Sequence, residues 1–238
     1  MVYIYEYIRT RGCEPLHFEE HYNRLEELSR NFQSFALADR FPREMLRQRI
    51  IEQLKREGYY STATNAVCVK IPPHGNEPII EIEEIFYNDF ALRAVRPQGY
   101  TQSASGELIL QNTSARMALI EFNRMESQAA DEGVAIWVND QKEILAIDGA
   151  AAVAVFDNEI RFSNFGNSVE FEVVYDKLSS VRKNVTRGSI FEEDLKQAKE
   201  VLGIDYRGIV ALESFSSHHY MDITAEKIIS LVNEAEQI

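Results

Sequence analysis

The stretch Gln111–Ser163, QNTSARMALIEFNRMESQAADEGVAIWVNDQKEILAIDGAAAVAVFDNEIRFS, decides the fold class. Ala118, Phe122, Met125 and Ala129 recur at spacings of four, three and four, the period of one helical face, and predict a helix from Ser114 to Ala130. Thr113 or Ser114 supplies a side-chain oxygen for its first free backbone donors. Val134 to Val138 reads as a buried strand, ended by the polar turn Asn139-Asp140-Gln141-Lys142. Ile144 to Ile147 makes a second strand, Ala150 to Phe156 a third after Asp148-Gly149, and Glu159 to Ser163 a fourth after Asp157-Asn158. A helix feeding a four-stranded antiparallel meander is the expected organising unit.

Outward from this stretch, the chain alternates short strands and helices. Val2 to Ile8 is a tyrosine-rich strand that turns at Arg11-Gly12 and leads to a helix from Phe18 to Phe32, with Leu25, Leu28 and Phe32 on one face. Arg24 stands at the border of that face, its stem over the core and its guanidinium directed either into a cleft or, the reading composition alone favours, to a surface ion pair. Arg43 to Glu57 is a second helix between Pro42 and Gly58. Thr64 to Ile71 and Ile79 to Phe86 read as paired strands, and Leu92 to Val95 as a short one. Lys70, at the end of the first of these, reads as a solvated strand-end lysine more readily than as a cleft residue. Pro97 to Gly106, rich in Gly, Ser and Gln, is the best linker, and the lobes are divided there as 1–104 and 105–238. Val173-Val174-Tyr175 leans toward strand, and Ile223 to Ala235 closes the chain as an amphipathic helix.

At 238 residues, two modest lobes are the expected division. The chain has 25 basic and 38 acidic residues, a formal net charge of −13, which argues against a nucleic-acid or anionic-membrane surface. No apolar run is long enough to span a bilayer and the N-terminal stretch lacks a charged region before an apolar core, so a cytoplasmic protein is expected. Cys13 and Cys68 are too few for a disulfide framework. His218 and His219 are neighbours that face opposite sides of an extended segment, so no shared metal is expected there. There is no glycine-rich nucleotide loop and no nucleophile elbow.

Near the N-terminus stands YEYIRTRGCEPLHFEEHYNRL, in which Glu6, Ile8 and Arg9 precede Glu20, His21, Arg24 and Leu25. Together with ADEGVAIWVND and EILAIDGAAAVAVFDNEIRFS, this block resembles the class IV pyridoxal-phosphate-dependent family (fold type IV). That family holds branched-chain and D-amino-acid aminotransferases and 4-amino-4-deoxychorismate lyase. Its N-terminal stretch typically reads F-E-T-I-R and then E-H-x-x-R-L. The resemblance implies an α+β chain of two lobes, a small N-terminal α/β lobe and a larger β-barrel-like C-terminal lobe. It also implies pyridoxal 5'-phosphate as cofactor, an amino-acid-like or small anionic ligand, and a homodimer. In the family pattern Arg24 falls where phosphate is bound.

The departures are as informative. The family's Schiff-base lysine, just before the central helix, falls on Gln111, with Thr113 as the outer limit, and no lysine occurs between Lys70 and Lys142. The acid that pairs with the pyridine nitrogen falls on Ile147 in one register and on Asp148 in the other. The phosphate loop, G-I-T-R in the family, falls near Gly166-Asn167-Ser168-Val169 and keeps little beyond its glycine, while Val185-Thr186-Arg187 lies too close to the next helix. The family's hydroxyl-bearing turn is replaced by Asp205-Tyr206-Arg207. Pyridoxal-phosphate chemistry needs an amine that glutamine and threonine lack. The leading expectation is therefore a homologue without lysine-dependent catalysis, in which Arg24 is answered by a carboxylate, Glu170 first, or else by a bound anion such as phosphate or sulfate. An active aminotransferase or lyase with a lysine from another position, and a scaffold that uses the family's dimer surface, are the alternatives.

Overall fold

In the computed structural model, residues 2–58, 64–85, 90–130, 132–166 and 168–236 are described. They form two compact units: Met1–Asp89 with Gln111–Ala115, and Phe90–Leu110 with Arg116–Ile238. The chain thus leaves the first unit after Asp89 and returns to it for five residues, so the expected 104/105 boundary falls inside the second unit. Phe86 and Asn167, each named in an expectation above, lie outside the described residues.

The first unit is a four-stranded sheet carrying helices. Its elements are β1 (Ile4–Arg11), β2 (Glu14–Pro15), α1 (Phe18–Gln33), α2 (Leu37–Arg40), α3 (Arg43–Arg56), β3 (Thr64–Ile71) and β4 (Ile79–Glu84), with sheet order β2-β1-β3-β4. Strand alternation places Ile4, Glu6 and Ile8 on one face of β1, and Ile4 and Ile8 pack with Leu25 and Leu28 of α1 and with Val67, Val69 and Ile71 of β3. Glu6 is the polar member of that inward row. On α1 the buried residues Phe18, His21, Tyr22, Leu25, Leu28 and Ser29 follow the helical period. Phe32, expected in this stripe, is half exposed; Ser29 takes the inward place in the last turn and donates to the Phe35 carbonyl at 2.7 Å. The returning segment lies along β1, with Tyr5 N donating to Asn112 O at 2.9 Å and Ser114 N to Tyr3 O at 2.8 Å.

The second unit holds β5 (Gln98–Ser103), α4 (Gly106–Leu110), α5 (Ser114–Ala130, beyond its first two residues), β6 (Val134–Val138), β7 (Ile144–Ile147), β8 (Ala151–Val155), β9 (Ile160–Ser163), α6 (Val169–Val181), β10 (Val185–Gly188), β11 (Glu200–Asp205), β12 (Gly208–Ala211), β13 (Ser214–Phe215), β14 (His218–His219) and α7 (Ile223–Glu236). Two five-stranded sheets result, in the orders β10-β9-β8-β11-β12 and β14-β13-β5-β6-β7. An apolar layer with Ile136, Ile144 and Ile147 from one sheet and Ala152, Val201 and Val210 from the other lies between them.

Five expectations are corrected here. The meander is split: β6–β7 and β8–β9 are antiparallel hairpins, but the tight turn at Asp148-Gly149 sends β8 into the other sheet, beside β11. The linker Pro97–Gly106 is mostly β5, parallel to β6. A Cβ at Gly99 would stand 2.6 Å from Ile136 Cδ1 and 3.0 Å from Leu212 Cδ1, so that residue is small because the strand is tightly packed, not because the segment is a linker. The helix from Ser114 to Ala130 has the expected limits and a different inner face. Arg116, Ile120 and Ser127 are buried, whereas Phe122 is 56% and Met125 63% exposed. Leu92 to Val95 contributes only a single bridge, Leu92 to Ile209. At α6, burial of Phe171, Val174 and Leu178, with a cap in which Phe171 N donates to Ser168 Oγ at 3.1 Å, outweighs the β-branched local preference.

Candidate functional site

In the first unit, the two halves of the N-terminal motif meet at one carboxylate. Glu6 is 2% exposed. Its Oε1 accepts from His21 Nδ1 at 2.9 Å and from Arg24 Nε at 3.2 Å, and its Oε2 accepts from Asn112 Nδ2 at 2.8 Å. Burial pushes the carboxyl up, but Arg24, the His21 contact and the Asn112 bond outweigh it and hold Glu6 below its ordinary value. An ionised carboxylate only accepts, so the His21 Nδ1 carries the hydrogen. The carboxylate on Arg24 is thus Glu6, a motif residue whose sequence reading gave no partner. Asn112 was missed, and its signal is its place beside Gln111 in the segment that returns to β1.

Gln111, at the family's lysine position, is partly exposed in that segment, where Thr113 N closes a tight turn on its carbonyl at 2.7 Å. Lys70, on β3, pairs with Glu81 at 2.5 Å and lies over the Tyr3 ring. Burial pulls the Lys70 ammonium down, and the Glu81 bond with neighbouring charge raises it above its ordinary value overall. A lysine poised for carbonyl chemistry has the opposite shift.

In the second unit, the Asp148-Gly149 turn is the focus. Asp148 has φ 46° and Gly149 φ 81°, the left-handed pair that turns β7 sharply out of its sheet. Arg124, from α5, grips the Asp148 carboxylate with Nε to Oδ1 at 2.7 Å and Nη2 to Oδ2 at 3.1 Å. Arg207 Nη2 lies 3.5 Å and Arg93 Nη1 3.9 Å from the same Oδ2. Asp205, 8% exposed, binds Arg93 at 2.5 Å and Arg207 at 2.7 Å. Burial pushes Asp205 up, while Arg207 and Arg93 hold it far below the usual carboxylate range. Arg116 caps two carbonyls, Ile109 O at 2.6 Å and Gly149 O at 2.5 Å. Ile147, the alternative acid position, is fully buried in the apolar layer. Arg93 and Arg124 were not singled out from sequence, since isolated arginines on a loop and a helix give no signal until the turn is placed.

The expected phosphate loop has other work. Ser168 caps α6, Glu170 is buried in the first turn of that helix, and a Cβ at Gly166 would meet Glu172 Oε1 at 2.4 Å. His218 Nε2 contacts the Ala198 carbonyl at 2.9 Å, and among the described residues no three metal-binding side chains gather. No described helix is long and apolar enough to cross a membrane.

No protein-family model matches the chain, and no curated protein matches its sequence. Solved structures do match its fold. A hypothetical aminotransferase from Mycobacterium tuberculosis superposes with TM-score 0.77 at 13% identity, over 98% of this chain and 88% of that one. A protein assigned as 4-amino-4-deoxychorismate lyase from Legionella pneumophila gives 0.78 at 13%, over 98% and 90%. A branched-chain aminotransferase from Thermoproteus uzoniensis, solved with norvaline, gives 0.78 at 12%, over 99% and 87%. The fold is that of the fold-type-IV aminotransferases, as the N-terminal motif implied.

Proposed function

We propose that this chain is a homologue of the class IV aminotransferases and 4-amino-4-deoxychorismate lyases that does not perform lysine-dependent catalysis. The observation that carries this is Gln111, three residues before α5, with no lysine between Lys70 and Lys142. The remaining residues do not fit pyridoxal 5'-phosphate. Arg24, at the family's phosphate position, is bonded to Glu6. Asp148, in one register the acid for the pyridine nitrogen, has both carboxylate oxygens taken by Arg124. In the other register the position is Ile147, an apolar core residue. The reading with a lysine from another position is weaker, because Lys70 is held charged by Glu81. A cytoplasmic homodimer that binds a small anionic or amino-acid-like ligand completes the proposal, by analogy of fold.

The test is a turnover assay with added pyridoxal phosphate and a panel of amino donors with a keto-acid acceptor. Keto-acid formation should not rise above the rate with free cofactor. Saturable, enzyme-dependent transamination would overturn the proposal.

A further inference from the structure

A cavity of about 440 Å³ opens in the second unit beside the Asp148-Gly149 turn. It is lined by Arg124, Ser127 and Gln128 of α5, Gly133 and Val134 at the start of β6, Asp148 and Arg207. At its wall the guanidiniums of Arg124 and Arg207 meet the Asp148 carboxylate, and next to them the Arg93 guanidinium and the Asp205 carboxylate complete a cluster of three cations and two anions. One positive charge is left over, in a chain whose formal net charge is −13.

The donor inventory shows where that charge is available. Arg124 spends Nε and Nη2 on Asp148, and Arg207 spends Nε and Nη2 on Asp205 and on the Asp148 carbonyl. Neither Nη1 has an acceptor among the described residues, and each carries two N–H groups. Arg93 Nε, deeper in the network, is buried and also lacks an acceptor. Both bonded guanidiniums are held in place by their carboxylates, so little side-chain entropy remains to be lost on binding.

We propose that this cavity binds a small molecule through one carboxylate, seated on Nη1 of Arg124 and Nη1 of Arg207, with its body against Gly133 and Val134 and its polar edge at Gln128. A monoanion cancels the surplus charge of the cluster. A phosphate dianion overshoots it and places net negative charge beside Asp148 and Asp205, which are already desolvated. The inference uses the second unit alone and is independent of the missing lysine.

The probe is sodium acetate, titrated at constant ionic strength against sodium chloride into the ¹⁵N-labelled full chain. The amides of Gly133 and Val134 and the Arg124 Nε–H are followed by NMR. Acetate should give saturable shifts at these groups, more weakly with inorganic phosphate, and binding should fall about tenfold or more in both Arg207→Gln and Gln128→Glu. Gln128 is exposed, so that variant keeps the fold and decides the matter where Arg207→Gln does not fold. Shifts that match those of chloride, acetate binding unchanged in Gln128→Glu, or tighter binding of phosphate would each overturn the assignment.

Discussion

Replacing Glu6 with glutamine perturbs the first unit at the point where its motif converges. Glu6 is 2% exposed and takes His21 and Arg24 on Oε1 and Asn112 on Oε2. Glutamine has one acceptor oxygen. If that oxygen keeps His21 and Arg24, the new amide nitrogen faces Asn112 Nδ2, donor against donor. An unsatisfied buried donor costs about 1–3 kcal/mol, and turning two charge-assisted bonds into neutral-acceptor ones costs about 1 kcal/mol each. Arg24 is 27% exposed, so water recovers part of its share. The expected net loss is about 3 kcal/mol, or about 6–12 °C in Tm for a chain of this size. Urea and thermal melts followed by far-UV circular dichroism give the value, with Glu81→Gln at the surface pair with Lys70 as control, expected to cost under about 1 kcal/mol. The pH dependence gives a second reading. The folded carboxyl lies below its ordinary value of 4.5, so its stabilisation is present above that value and is lost as pH falls through the folded one. The glutamine variant has no such share to lose. The gap between the two proteins should hold through neutral pH and narrow below 4.5. A variant within about 1 kcal/mol of the wild type at pH 7, or a gap unchanged into acid, would refute this reasoning.

Other outcomes follow from the same physical terms. Ile120→Ala should cost about 2–4 kcal/mol in urea melts and Phe122→Ala within about 0.5, because Ile120 is buried and Phe122 is 56% exposed. Asp205→Asn should cost about 3–5 kcal/mol by leaving Arg93 and Arg207 without a full counter-charge. Asp205 is also held below its ordinary 3.8, so its share of stability is present above that value and is lost only in stronger acid, as acid titration by circular dichroism would show. Gln111→Lys alone should give no coloured, borohydride-trappable adduct with pyridoxal phosphate; a coloured adduct would show that the cofactor pocket is intact.

The elements were largely legible in the sequence, and their arrangement less so. α5, β3 and β6 have the expected limits, because periodicity and breakers are local. The inner face of α5 was misread because Phe122 and Met125 are apolar, whereas the helix buries Arg116 by giving its guanidinium two carbonyls. The split at Asp148-Gly149 depends on whether β8 pairs with β7 or with β11, a long-range choice that local pattern does not encode. The motif residues Glu6, His21 and Arg24 were named from sequence, but that they share one carboxylate follows only from the pairing of β1 with α1. Arg93 reaches Asp205 across 112 positions, a distance over which sequence carries no visible sign.

Incubation with pyridoxal phosphate, borohydride reduction and peptide mass mapping test the central claim most directly. Sparse modification spread over several surface lysines is expected, with none approaching one label per chain. Stoichiometric labelling of a single lysine, Lys70 or any other, would contradict it.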